Sequence, residues 1–120
     1  MKTEIAGAIL EPTLLRIWME TDKDNFLYLI EWLKTERNLY WYQKKETRIC
    51  LDAGEASFEV NGVQVRRPAR GEWTGYVLVP YGLLMPFLKV KPASKVIAFT
   101  YENQRVGIDT KRVTAKWIAI

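Results

Sequence analysis

The chain has 120 residues, enough for one domain with a single apolar core and no need of metal or disulfide staples. Hydrophobic residues make up 48% and charged residues 27%, a globular balance, and no apolar run reaches the length of a membrane span. With no histidine and one cysteine, Cys50, the chain cannot build a Ser-His-Asp triad, a Cys-His pair, a histidine-based zinc site or an internal disulfide.

Other catalytic signatures are missing too. "GEWTG" (71–75) has neither the spacing nor the Lys-Ser/Thr ending of a phosphate loop. The carboxylates are mostly isolated in surface-like contexts. The expectation is a non-enzymatic protein with no cofactor, no small-molecule substrate and no membrane partner. The opening "MKTEIAGAILEP" has one lysine and a short apolar patch, not the long apolar region of a signal peptide, so a cytoplasmic location is expected. The net charge of +4 is unevenly placed. Residues 1–70 carry 11 basic and 11 acidic side chains, whereas residues 71–120 carry 7 basic and 3 acidic. Such an excess is compatible with nucleic-acid contact and equally with ordinary solvated lysines.

In chain order, "TEIAGAIL" (3–10) reads as a strand. "EPTLLRIWME" (11–20) reads as a helix with Pro12 near its first position. Phe26, Leu29, Ile30 and Leu33 then fall at helical spacing after Asp22 and Asp24, which predicts an amphipathic helix. The aromatic run Tyr40, Trp41 and Tyr42 follows, beside Lys44 and Lys45. It suits base stacking, a protein-docking surface shared with Trp32, or packing over one end of the domain.

"TRICLD" (47–52) reads as a strand with Ile49 and Leu51 toward the core and Cys50 on the other face. "ASFEV-NG-VQV" (56–65) predicts a hairpin, because Asn61-Gly62 supplies the positive φ angles of a tight turn. "EWTGYVLV" (72–79) is expected as one strand. "PYGLLMPFLKV" (80–90) is expected as a kinked or very short helix, since Pro86 inside a helix removes a hydrogen bond and crowds the carbonyl of Gly82. "SKVIAFTYE" (94–102), "QRVGI" (104–108) and "VTAKWI" (113–118) read as three more strands.

The two halves overlay as patterns. "EIAGAILEPTLLRIWME" (4–20) matches "WTGYVLVPYGLLMPFLK" (73–89), and "ICLDAGEASFEVNGVQV" (49–65) matches "IAFTYENQRVGIDTKRV" (97–113). The reading is an α+β fold of two βαβββ repeats in one domain over 1–120. Repeat 1 covers about 1–70, with an inserted amphipathic helix over about 23–43, and repeat 2 covers about 71–120.

That organisation, and above all "GYVLVPYGLLMPFLKVKPASKVIAFTYENQRVGIDTKRV" (75–113), resembles one domain of a DNA sliding clamp, the ring-shaped processivity factor of replicative polymerases. The resemblance is one of topology more than of sequence. It implies domains joined edge to edge, with sheets as an outer wall and helices toward a channel around DNA. Complete rings of that kind hold six domains, so a one-domain chain would form a homo-oligomer. DNA would be held without sequence reading. The nucleic-acid-binding candidates are Arg66, Arg67 and Arg70 of "RRPAR", with Lys89, Lys91, Lys95, Arg105, Lys111, Arg112 and Lys116. The alternative is an accessory module that uses a clamp-like fold to bind another protein, through Trp32, Tyr40, Trp41 and Tyr42.

Overall fold

The computed structural model describes residues 17–36, 46–60 and 62–119. The expected strand over 3–10, most of the expected helix over 11–20, and the cluster Tyr40, Trp41 and Tyr42 lie outside the described residues. Among the described residues the fold is α+β, with two antiparallel five-stranded sheets and two helices.

The first described element is a strand, β1 (Trp18–Asp22), where the sequence pattern predicted the end of a helix. Its burial has a period of two. Met19 and Thr21 are buried, while Trp18, Glu20 and Asp22 point to the other face, which is the signature of a sheet and not of a helix. Thr21 satisfies its buried hydroxyl by donating to the Pro68 carbonyl at 2.6 Å.

Helix α1 (Lys23–Glu36) forms as the spacing required. Phe26, Leu29, Ile30 and Leu33 are fully buried. Asp24 in its first turn and Lys34 in its last complement the helix dipole.

Next come β2 (Glu46–Asp52), β3 (Glu55–Val60) and β4 (Val63–Pro68), an antiparallel meander. Ile49 is fully buried as alternation predicted, but Leu51 and Cys50 are both half-buried and both pack against the core, so the expected contrast between those two is absent. The β2–β3 turn uses positive φ at Ala53 (52°) and Gly54 (79°), a backbone twist that matches the flanking strands.

The expected single strand over 72–79 is divided. Strand β5 (Arg70–Glu72) ends before Trp73, and β6 (Gly75–Pro80) begins after Thr74. Trp73 leaves the strand because its ring is needed inside, where Nε1 donates to the Ile49 carbonyl at 3.2 Å. Pro86 resolves its conflict as expected. A 3-10 turn (Tyr81–Leu83) is followed by a four-residue helix, α2 (Pro86–Lys89), with the proline at its tolerated first position.

Strands β7 (Val96–Glu102), β8 (Arg105–Ile108) and β9 (Lys111–Thr114) form a second meander. The expected strand over 113–118 is two strands. The chain turns at Ala115 and continues as β10 (Lys116–Ala119) in the other sheet.

One sheet has the order β5-β1-β7-β8-β9 and the other β10-β6-β2-β3-β4. Exchanging β1–β5 for β6–β10, in order, converts one into the other. The strand opening each half is therefore paired with the meander of the opposite half. Met19 lies across from Phe99, and Val77 across from Ile49; all four are fully buried. The two places where the chain crosses between sheets are closed alike. The Ala69 N–H donates to the Gly54 carbonyl at 2.9 Å, and the Ala115 N–H donates to the Gln104 carbonyl at 3.1 Å.

Phe99 is the hub of the core. Phe26, Phe58 and Trp73 meet its ring edge to face at 5.8, 6.2 and 6.4 Å. Phe26 also meets Phe87 at 5.4 Å, which brings the two helices together. Among the described residues no helix is long and apolar enough to cross a membrane.

Gly71 marks the tightest backbone approach. Its φ is 149°, and a Cβ there would collide with the Trp18 carbonyl oxygen and the Met19 Cα. Gly54 has φ 79° but open space around it. Urea unfolding of Gly71→Ala is expected to show a loss of about 3 kcal/mol, from strain plus overpacking. Gly54→Ala is expected to lose about 1 kcal/mol. Equal losses would contradict the close approach of β5 to β1.

Candidate nucleic-acid interface

The structure separates the ten basic candidates into three groups. Arg66, Arg67 and Arg70 are each occupied by a neighbour. Arg66 donates to Asp52 at 2.9 Å and lies 3.5 Å from Glu55. The hydrogen bond to Asp52, followed by that to Glu55, holds its guanidinium above the ordinary pKa. Arg70 donates to Glu20 at 2.8 Å. Arg67 lays its guanidinium over the Tyr28 ring, 3.5 Å from the centroid, and joins β4 to α1. "RRPAR" thus stands at the first sheet crossing, and its side chains tie the crossing to β1, α1 and the β2–β3 turn. Exposed ion pairs of this kind stabilise little, but they offset the charge that the sequence offered to a polyanion.

Lys89, Lys91 and Lys95 form the second group, and all three are exposed. They lie on the end of α2 and the segment leading to β7. The Lys23 N–H donates to the Lys95 carbonyl at 2.8 Å, so this segment runs beside the start of α1 and adds Lys23 to the group. Val90 within it is 65% exposed. The remaining exposed face of α1 has mixed charge, with Asp24, Tyr28, Glu31 and Lys34.

Arg105, Lys111, Arg112 and Lys116 form the third group. All four are exposed, and none has an ion-pair partner among the described residues. Register places Arg105 opposite Thr114 and Arg112 opposite Gly107, so the two arginines are diagonal neighbours on one face of the β8–β9 pair. With Glu102 and Asn103 they line a hollow of about 320 Å³. Lys111, opposite Ile108, lies on the other face.

The corner at Ala115 adds a site that the sequence did not reveal. A cleft of about 510 Å³ opens there, lined among others by Tyr101, Gln104, Thr114, Lys116, Trp117 and Glu46. Tyr101 and Trp117 lean on each other with centroids 5.4 Å apart and planes 33° apart, and Trp73 braces Trp117 at 5.3 Å. The one legible signal was Trp117 next to Lys116; the turn at Ala115 that opens the cleft had no signal.

Of the protein-docking candidates, Trp32 is half-buried against the core. Tyr40, Trp41 and Tyr42 lie outside the described residues. Among the described residues no group of three or more His, Cys, Asp or Glu side chains is arranged to hold a metal ion. No protein-family model matches the chain, and no curated protein matches it.

The Arg67–Tyr28 contact is open to a double-mutant cycle. Arg67→Ala and Tyr28→Ala are each expected to lower unfolding free energy by about 1 kcal/mol. The double variant is expected to lose little more than either single one. Full additivity in urea denaturation would show that the stack contributes nothing.

Proposed function

We propose that the chain is a non-enzymatic clamp-like protein that assembles with copies of itself and associates with DNA without reading its sequence. The observation that carries this reading is the matched strand order of the two sheets, each completed by the opening strand of the other half. That order fits two repeats, over residues 18–72 and 75–119. On this reading α1 occupies the same place in the first repeat as the Tyr81–Lys89 segment does in the second, and it is part of the repeat and not an insertion.

Assembly would use the strands left with one partner. Among the described residues β4 and β9 each pair on one side only, as do β5 and β10. Open edges of this kind are templates for another chain. Phosphate contact would fall to Lys23, Lys89, Lys91 and Lys95 beside the helices, because the arginines of "RRPAR" are already paired.

The mixed charge on α1 favours a second reading, in which the same fold docks an acidic or aromatic surface of another protein and does not surround DNA. The two readings separate in a binding titration. Fluorescence anisotropy with duplexes of unrelated sequence is expected to give one common affinity that falls at least tenfold between 50 and 200 mM salt. Replacing Lys89, Lys91 and Lys95 by Glu should abolish it while the circular dichroism spectrum stays unchanged. No duplex binding at 50 mM salt would remove DNA from the account and favour the protein-docking reading.

A further inference from the structure

We infer that Arg105 and Arg112, with Asn103 at the rim, form a binding site for a phosphate group, which takes the place that the Glu55 carboxylate holds in the first half of the chain. The site lies at the β7–β8 turn and uses none of the lysines beside the helices. It requires neither ring assembly nor duplex binding.

The two sheet crossings fix which residues of the halves correspond. The Ala69 N–H donates to the Gly54 carbonyl as the Ala115 N–H donates to the Gln104 carbonyl, so Gly54 matches Gln104 and Ala69 matches Ala115. Counted from these anchors, Asp52 matches Glu102, Glu55 matches Arg105, and Arg66 matches Arg112. The strand registers agree. Asp52 lies opposite Glu55 as Glu102 lies opposite Arg105. Arg66 lies opposite Ser57 as Arg112 lies opposite Gly107. Opposed residues share a face, as do residues two apart on one strand, so each trio occupies one face of its sheet.

In the first half the trio closes on itself. The Arg66 guanidinium reaches Asp52 at 2.9 Å and Glu55 at 3.5 Å, so one cation holds two carboxylates. In the second half an arginine replaces one of those carboxylates. Arg105 and Arg112 are exposed and have no ion-pair partner among the described residues, although Glu102 stands opposite Arg105. Gly107 puts no side chain beside Arg112, where Ser57 stands beside Arg66 in the first half. The hollow of about 320 Å³ between Glu102, Asn103, Arg105 and Arg112 is left open. Two guanidiniums against one carboxylate leave an unbalanced positive charge, which a phosphate group neutralises. The guanidiniums and the Asn103 amide also carry more N–H donors than the Glu102 carboxylate can accept. A tetrahedral anion uses such a set of donors more fully than a second flat carboxylate does.

The test follows the arginine Nε–H signals by heteronuclear NMR while the whole chain is titrated with inorganic phosphate at fixed ionic strength. The Arg105 and Arg112 signals are expected to shift together and saturate, while the occupied Arg66 stays still. Chloride at the same ionic strength should move none of them. Arg105→Glu copies the first-half arrangement, so it should keep the thermal midpoint and weaken the phosphate response about tenfold. Glu55→Arg makes the reverse exchange and should give Arg66 a phosphate response that it lacks in the wild-type chain. A duplex titrated in the same way tells the source of the phosphate. The same shifts with duplex identify a nucleic-acid backbone, and shifts with inorganic phosphate alone identify a free phosphate compound; both support the site. No shift with phosphate, an equal shift with chloride, an unchanged response in a folded Arg105→Glu, or a tighter response to glutamate than to phosphate would overturn the assignment. The last outcome would give the hollow to an acidic protein segment.

Discussion

The structure depends on one constraint: each half of the chain completes its sheet with the other half's opening strand. Met19 has Phe99 on one side and Gly71 on the other. Val77 has Ile49 on one side and Trp117 on the other. Neither meander has its inner neighbour until the distant strand arrives, so the core is shared between the halves. The exchange also explains the small residues at the crossings. Ala69 and Ala115 sit where the chain passes between sheets, and Gly71 sits where β5 is pressed against β1 too closely for a side chain. Pairings that span most of the chain must form before they are rewarded, a topology associated with slow folding.

The sequence displayed what is local. Helix α1 was visible in the spacing of Phe26, Leu29, Ile30 and Leu33, the β3–β4 hairpin in the Asn-Gly pair between two strand-like runs, and the broken helix after β6 in Pro86. Each is decided by contacts within a few residues. Strand β1 was hidden because five residues, Trp18–Asp22, show too little periodicity to distinguish a strand from a helix end. The corner at Ala115 was hidden because Val113, Ala115 and Trp117 alternate smoothly across it. What bends the chain there is the carbonyl of Gln104, a tertiary partner that no window around Ala115 reveals.

The candidate site was legible in the same limited way. "RRPAR" was the densest basic run, yet Glu20, the partner of Arg70, lies fifty residues upstream. Composition cannot see such neutralisation. The sparser cations of the second half keep their charge because few carboxylates fold back on them. The aromatic pair Tyr101–Trp117 is sixteen residues apart in sequence and is joined only by the crossing at Ala115. Charge density along the chain was therefore a poor guide to free charge on the surface.

On the proposed reading, shared sheets, touching helices and open strand edges belong to one design: a rigid block whose edges are available to further copies. The measurement that tests this most directly is the mass of the native particle in solution, by native mass spectrometry with and without duplex DNA. The account predicts a closed assembly of several copies, six if it follows the clamp pattern, at micromolar protein. A monomer that persists at every concentration, with and without DNA, would contradict it.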